Sequence, residues 1–242
     1  MENDLLELII KRHSTRDAFD PDKKVAKNDL KKILESATWA PTGHNMQNFN
    51  ILVIDDKDLL EKIGNIKTKA SADFIKENLN QLSFSTEELE KKKVGIMATM
   101  FPPSWRNPNA DFEKVAKETP PLNLGNIMRD CPTLLIITYD KTKRAPASEN
   151  DVMGFIGLGC VMENIWLMAE SLDIGMQIIS FFAAEDVEKQ LKEVLSIPDN
   201  QKIAFAIRLG YPVITTDYLR VRRNIEDFTS LNGFNNKFTV DN

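Results

Sequence analysis

The chain alternates between segments with apolar residues at helical spacing and short, almost continuously apolar runs, which predicts helices and strands together. The clearest helix carries an apolar stripe at i, i+3, i+4 and i+7, with Asn28 as N-cap and Pro41 beyond its end (Leu30, Ile33, Leu34 and Ala37). Further helices are expected over 5–11, 55–64, 85–100, 151–175 and 183–195. Strands are expected over 49–56, 133–140, 176–182 and 202–212, of which the first is predicted to be buried.

Two segments predict contacts with something outside their own length. The stretch 151–175 is apolar on nearly all sides of a helix, which is typical of a helix buried in the middle of a structure. Its glycines in "GFIGLGC" favour close helix packing over a dinucleotide-binding loop, because they do not follow a strand. The tail 213–242 has scattered aromatic residues but no core of its own. Both features favour a dimer.

The middle of the chain is polar, irregular and rich in proline. We therefore expect a single domain over 1–242 with a lid or insertion at about 65–130 and a dimer-wrapping tail at about 213–242. Phe101 and Trp105 lie near prolines and are candidates for contact with a planar substrate. The alternative is an insertion that packs on its own dimer.

Composition narrows the classes of function. The 242 residues carry a net charge of −5, which gives no general attraction to nucleic acid or anionic lipid. The chain lacks an apolar run near 18 residues and begins with an acidic stretch, so we expect no membrane span, no export and a cytoplasmic location. Two cysteines and two histidines do not make a zinc site, so we expect reduced thiols and no metal.

The stretch "KRHSTRDAFDP" concentrates cations near the start of an acidic chain. If it is extended, alternation places Arg12, Ser14 and Arg16 on one side, where two guanidinium groups and a hydroxyl match a phosphate. Near the other end, "LRVRRN" supplies Arg220 and Arg222 after the last strand. Together the two clusters predict one phosphate held from both ends of the chain. The alternative for each cluster alone is a solvated surface.

The loop "PTGHNMQN" offers neutral donors and acceptors through Pro41, Thr42, Gly43 and Asn45. Such groups suit the edges of a flat heterocycle with alternating N–H and C=O groups. An ordinary turn between a helix and a strand is the alternative.

Four segments together resemble the FMN-dependent nitroreductase family: "RHSTRDAFDP", "ATWAPTGHNMQNFNILVI", "LDIGMQIISFF", and "RLGYP" followed by "LRVRRNIEDF". The resemblance is strong over 1–56, looser over 131–230 and poor between about 65 and 130. It implies an α+β sandwich with a central, mostly antiparallel sheet flanked by helices. It also implies an intertwined homodimer with an extended C-terminal tail and two FMN sites at the interface.

The resemblance also implies roles for individual residues. Arg12, Ser14, Arg220 and Arg222 would hold the FMN phosphate and ribityl chain, with His13 assisting, and Arg16 would stabilise charge at the N1–O2 edge. Pro41, Thr42, Gly43 and Asn45 would reach the flavin from the partner subunit, and the backbone at Ile179 and Ser180 would approach N5. Beyond the flavin no catalytic side chain is implied.

Several positions depart from the family pattern. Asn48 and Phe49 replace the usual Pro and Trp, and Ser180 and Phe181 stand where glycines are common, which predicts a narrower substrate face. Asn126 and Arg129 are candidates for a further contact with the flavin edge, but the alignment slips there.

The implied activity is transfer of a hydride from NAD(P)H to flavin N5 and reduction of nitroaromatics, quinones or similar electrophiles in a ping-pong cycle. The absence of GxSxG, HExxH and Walker motifs agrees with chemistry carried by a cofactor. A flavin-binding sensor or store with little turnover, and a reductive dehalogenase-like enzyme on the same fold, are the alternatives.

Overall fold

The computed structural model describes residues 2–217 and 219–238, without the side chains of 2, 3 and 81–83. The end of the predicted dimer-wrapping tail, 239–242, and position 218 lie outside the described residues. The α-helices are α1 Glu2–Lys11, α2 Lys27–Thr38, α3 Lys57–Gly64, α4 Ala72–Glu77, α5 Thr86–Lys92, α6 Phe112–Glu118, α7 Gly125–Met128, α8 Val152–Ser171 and α9 Glu185–Leu195. The strands are β1 Phe49–Ile54, β2 Lys67–Thr68, β3 Ser83–Phe84, β4 Ile96–Met97, β5 Leu122–Asn123, β6 Thr133–Asp140, β7 Gly175–Ile179 and β8 Gln201–Gly210.

The described chain forms two compact units. The first unit contains residues 2–68 and Asn123–Thr216, and the second contains Lys69–Leu122 and the described part of 217–238. The predicted motifs are divided between the two units: the N-terminal cations, the loop after α2 and β7 lie in the first, and Arg220 and Arg222 in the second.

A four-stranded sheet of order β1-β6-β8-β7 organises the first unit. All three strand pairs are antiparallel, with Phe49 opposite Tyr139, Thr133 opposite Leu209 and Gly175 opposite Gly210. Helices α2 and α8 share a core with one face of the sheet, and α3, α7 and α9 share a core with the other. The predicted α+β fold with a mostly antiparallel central sheet flanked by helices is confirmed.

The chain after α1 closes one end of the sheet. Asp20 N donates to the Tyr211 carbonyl (3.0 Å) and Val213 N donates to the Ala18 carbonyl (3.0 Å), so the fully buried ring of Phe19 is held under β7 and β8. Glycine is required above this ring, because a Cβ on Gly175 or on Gly210 would lie 2.7 Å from Phe19 atoms. The C-terminal end of the segment 11–21, which contains the predicted phosphate-binding residues, is thereby fixed to the sheet.

The second unit has a small core of its own, formed by Ala70, Ile75 and Trp105. Phe101 and Phe74 pack against the indole of Trp105, with ring centroids 5.9 Å and 6.0 Å away. Strands β3 and β4 pair in parallel. In the tail a short 3-10 turn spans Ile225–Asp227, and the side chain of Phe234 is 96% exposed.

Three expected elements differ from the structure. The helix expected over 85–100 ends at Lys92, because Lys93 is left-handed (φ 59°) and Gly95 follows with φ 93°. Helix α2 begins at Lys27 with Ala26 in the N-cap position, so Asn28 lies inside the first turn and does not cap it. Strand β1 is an edge strand with Val53 exposed, so the expectation that it is buried is wrong.

Helix α8 also differs from expectation. The helical segment 149–171 contains an 18-residue window with a mean hydropathy of 1.6, so the expectation that the chain lacks an apolar run near 18 residues is wrong. By length and composition this helix could cross a membrane, a property that buried core helices share. Its C-terminal half is core, since Val161, Ile165 and Ala169 are fully buried. Its N-terminal half is not, since Val152, Phe155 and Ile156 are about half exposed.

Candidate functional site

The predicted phosphate-binding segment runs beside the edge strand β7. The Thr15 amide donates to the Met176 carbonyl (2.8 Å), and Thr15 is buried while Ser14 is half-buried and Arg16 is exposed. The Ser14 hydroxyl and the Arg16 guanidinium have no hydrogen-bond or ion-pair partner in the described part of the chain. This segment therefore presents a hydroxyl donor and a cation beside the first residues of β7.

Arg12 is held on helix α8. Its guanidinium lies over the ring of Trp166, 4.2 Å from the centroid, and its Nε is 3.5 Å from a carboxylate oxygen of Glu163. The Trp166 indole N–H donates to the His13 carbonyl (3.0 Å), which fixes the backbone of the same segment. An aromatic face and a carboxylate together restrict the rotamers of a long side chain, so Arg12 is pre-oriented.

A second carboxylate on α8 faces the same segment. Glu170 is buried and lies 3.5 Å from Lys11 Nζ and 3.9 Å from His13 Nδ1. The pKa of Lys11 is raised, first by its hydrogen bond to Asp173 and further by Glu170. Glu163, Trp166 and Glu170 are absent from the sequence-based list of site residues. Glu163 and Glu170 are seven residues apart on an apolar helix and therefore share one face, and this spacing could have indicated from the sequence that both face a neighbouring segment.

The loop after α2 packs tightly on the other half of α8. A Cβ on Gly43 would lie 2.9 Å from the Ala145 Cβ, and the cavity between the loop and α8 is about 10 Å³, room for one water molecule at most. His44, Asn45 and Gln47 all have positive φ, and Gln47 donates to the Asn45 side chain (2.9 Å). Pro41 and Asn45 are exposed. A ring-sized ligand therefore fits only on the outer side of this loop.

The end of β7 carries Ile179 and Ser180, whose backbone is predicted to approach the flavin. Ile179 is buried in the core shared with α9, and Ser180 is exposed at the start of a 3-10 turn over Ser180–Ala183. Two residues earlier Gln177 accepts a hydrogen bond from the buried Arg208 of β8 (2.8 Å). Sequence reasoning missed Arg208, because a single arginine in an apolar strand gives no pattern.

The remaining predicted residues lie in the second unit. Arg220 and Arg222 are exposed, and Arg222 Nη1 donates to the neighbouring Val221 carbonyl (2.8 Å). Phe101 is half-buried, whereas Trp105 is buried and its indole N–H donates to the Thr119 hydroxyl (3.2 Å). The burial of Trp105 gives it a structural role in this unit.

A larger cavity of about 360 Å³ lies at the β1 and β6 end of the first unit. Of the predicted flavin contacts only Arg129 lines it, and the guanidinium of Arg129 is bound by both carboxylate oxygens of Asp130 (3.1 and 3.0 Å). That pairing raises the pKa of Arg129 and lowers that of Asp130. Both cysteines are free, and burial raises the pKa of Cys131 to about 12, so this thiol is neutral at pH 7.

An antiparallel sheet with helices on both faces, and a cationic segment along its edge strand, define an α+β protein with exposed positive charge at one sheet edge. The sequence pattern of the nitroreductase family matches residues 9–211. Because this match spans most of the 242 residues, the chain belongs to the nitroreductase family and is an oxidoreductase.

Individual relatives agree with this assignment. A protein of Archaeoglobus fulgidus with the provisional name NADH dehydrogenase/NAD(P)H nitroreductase is 24% identical over 214 residues, 88% of each chain. A Bacteroides thetaiotaomicron structure with the same provisional name has a TM-score of 0.61 at 16% identity, covering 96% of this chain and 99% of that one. A nitroreductase from Bacteroides fragilis with bound FMN has a TM-score of 0.56 at 21% identity, covering 95% and 99%.

Proposed function

We propose that the protein is an FMN-dependent oxidoreductase that takes a hydride from NAD(P)H and reduces nitroaromatics, quinones or similar electrophiles. The observation that supports this proposal most directly is the pair of Ser14 and Arg16 beside β7, next to a pre-oriented Arg12. The Ser14 hydroxyl has no partner among the described residues, and Arg16 is exposed. This set of donors suits a dianionic phosphate and the negative edge of a reduced flavin. The fold shared with FMN-containing nitroreductases supports the choice of cofactor.

When bound, FMN would accept the hydride at N5 and pass the electrons to the second substrate in a ping-pong cycle. The protein's part is to bind and orient. Arg12, held by Trp166 and Glu163, would bind the phosphate with Ser14, assisted by His13, and Arg16 would stabilise negative charge at N1 and O2. The backbone at Ile179 and Ser180 would approach N5 at the end of β7.

Arg220 and Arg222 complete the phosphate site in this proposal. The Thr216 hydroxyl donates to the carboxylate of Asp17 (2.8 Å), directly after Arg16. Arg220 follows Thr216 by four residues, which span at most about 14 Å when extended. Chain length therefore allows its guanidinium to reach an anion held by the N-terminal segment.

The loop residues Pro41, Thr42, Gly43 and Asn45 would serve the flavin of the partner subunit. Along α8 the loop packs at Gly157 and the Arg12 segment packs at Trp166, nine residues or roughly 14 Å apart. The outward-facing side of the loop and the half-exposed apolar residues at the start of α8 support a homodimer with FMN at the interface. Phe101, whose ring stacks on the indole of Trp105, would contact the planar substrate.

The test is flavin content and turnover of the purified protein. We expect a yellow protein that releases FMN on heating and oxidises NADH or NADPH with a quinone over many cycles per flavin. Arg16→Gln should weaken FMN binding by roughly tenfold, the worth of one charge-assisted hydrogen bond. Lys32→Gln removes an exposed lysine paired with Asp29, and its affinity for FMN should stay within twofold of that of wild type.

Two results would contradict the proposal. Colourless protein that ignores added FMN removes the cofactor assignment. If the protein binds flavin but shows no turnover, the enzyme assignment is wrong and a flavin-binding storage or sensor protein is the interpretation that remains. We also propose a cytoplasmic location for the enzyme.

A further inference from the structure

Among the described residues Arg208 is a buried cation that forms no ion pair with a carboxylate. Its residue is 5% exposed, Nη1 donates to the Gln177 side-chain oxygen (2.8 Å) and Nη2 donates to the Asp130 carbonyl (3.0 Å). Its Nε is buried without a hydrogen-bond partner among the described residues. The Asp130 carboxylate is instead bound by Arg129, and the neighbouring thiol of Cys131 is neutral.

Such a charge is costly to keep. Moving a guanidinium out of water costs several kcal/mol, and neutral acceptors return only part of it. The face of the Phe19 ring, 4.7 Å from the guanidinium carbon, gives a further attraction but no counter-charge. Desolvation lowers the pKa of Arg208, yet a guanidinium stays protonated in proteins. Among the described residues the Asp130 carboxylate attracts Arg208, but that carboxylate is bound by Arg129, so an external anion would offset the remaining charge.

Arg208 also fixes the orientation of Gln177. A guanidinium only donates, so the Gln177 atom facing it is the amide oxygen, and the amide nitrogen is the group left to donate. That nitrogen has no partner among the described residues, and the side chain is half-buried on the edge strand β7. A hydrogen bond from a cation polarises the amide, which makes its N–H groups stronger donors.

We propose that Arg208 and Gln177 favour binding of reduced, anionic flavin over oxidised flavin, Arg208 as a positioning residue and Gln177 as the polarised donor. This rests on the proposed function, which places the flavin beside β7 between Arg16 and Ser180. Arg208 adds a buried cation to the exposed Arg16, and a buried charge is screened far less by solvent. Its effect is therefore expected to persist at high salt.

The test measures the midpoint potential of bound flavin against a reference dye, together with Kd for oxidised FMN. We expect Arg208→Met to lower the preference for reduced flavin by at least tenfold, equal to about 30 mV for a two-electron couple. Arg208→Lys should keep the preference within threefold. Gln177→Glu, which gives Arg208 a counter-charge, should lower it like Arg208→Met.

Stability separates this role from a structural one. Arg208→Met relieves the burial of a charge but leaves the Gln177 oxygen and the Asp130 carbonyl without this donor, so the variant should unfold at a denaturant concentration close to that of wild type, whereas a purely structural role predicts a large loss of stability. Lys202→Gln is the matched control for the potential alone, because it removes one charge on the same strand six residues away, roughly 20 Å, and should leave the potential unchanged. Its stability is not compared, because Lys202 pairs with the buried Glu188.

Equal shifts in Arg208→Met and Arg208→Lys would overturn the inference, because shape rather than charge would then be responsible. An unchanged potential in Arg208→Met would overturn it as well. If Arg208→Met does not fold, the half-buried Gln177→Glu decides by the same criterion. A wild-type chain that binds no FMN is a different result, which removes the proposed function and this inference with it.

Discussion

At the scale of single residues, buried charges in this protein are of two kinds. Arg208 has neutral acceptors only, whereas Glu188 on α9 is fully compensated: it accepts from the Ile203 amide and from Lys202 Nζ, both at 2.9 Å, and lies 3.6 Å from Lys192. Removing one partner of a compensated buried charge destabilises the fold, whereas a charge without a counter-charge needs another reason to be kept. This contrast directs attention to Arg208 for function and to Glu188 for stability.

Glu188→Gln is expected to reduce the free energy of unfolding by about 1.5–3 kcal/mol at pH 7, the range for a hydrogen bond to a charged group. Burial raises the pKa of Glu188, but the hydrogen bonds from Lys202 and the Ile203 amide outweigh it, so the pKa lies below its ordinary value. The contribution is therefore complete above about pH 4.3 and is lost as pH falls through the lower folded-state value.

Urea unfolding of wild type and Glu188→Gln at pH 7 and near pH 3 checks this prediction. The difference between the two should be large at pH 7 and shrink in acid. Glu193→Gln, an exposed glutamate on the same helix, should change stability by less than 0.5 kcal/mol at either pH. A difference that grows in acid would contradict the assignment.

At the scale of elements, the end of the sheet depends on two glycines. A Cβ on Gly210 would lie 2.7 Å from the Phe19 Cβ and 2.8 Å from the Pro132 ring, neither of which can swing away freely. We expect Gly210→Ala to lower the free energy of unfolding by roughly 1–3 kcal/mol, as overpacking in a filled core does. The displaced segment carries Arg16 and Ser14, so FMN affinity should fall as well.

The control is Gly159→Ala on α8, where an added Cβ meets nothing within 4 Å. Alanine favours the helix over glycine by up to about 1 kcal/mol, so this variant should be as stable as wild type or more. Thermal unfolding of the two variants measures the contrast. Equal stabilities would show that the segment around Phe19 yields to the added methyl group.

The elements best predicted from sequence are those with a strong period. The stripe of α2 and the apolar run of β6 coincide with the buried residues of the sheet unit. The prediction of a helix over 85–100 was wrong beyond Lys92, because the left-handed backbone of Lys93 does not change the pattern of apolar and polar residues. The local sequence pattern likewise predicts a cationic segment at Arg12 and Ser14. The contact of Trp166 with Arg12 and the burial of Arg208 were not predicted, because they depend on how helices and strands pack, which residue spacing does not encode.

At the scale of the whole molecule, one chain leaves apolar surface exposed on two helices. Leu5, Leu6 and Ile10 on α1 are between 57% and 59% exposed, and Phe155 and Ile156 on α8 are 53% and 51% exposed. A second copy of the chain would bury such a surface, and an isologous contact would double the effect of each substitution.

In sedimentation equilibrium we therefore expect a dimer for wild type and a monomer for the double variant Phe155→Glu, Ile156→Glu. Because the proposed flavin site takes Pro41 and Asn45 from the partner, the same variant should bind FMN at least tenfold more weakly. Val194→Glu, on α9 at the opposite face of the sheet and 37% exposed, should remain a dimer with unchanged FMN affinity. A monomeric double variant that keeps full affinity would show that each chain builds its flavin site alone, since only the contribution across the interface links association to binding.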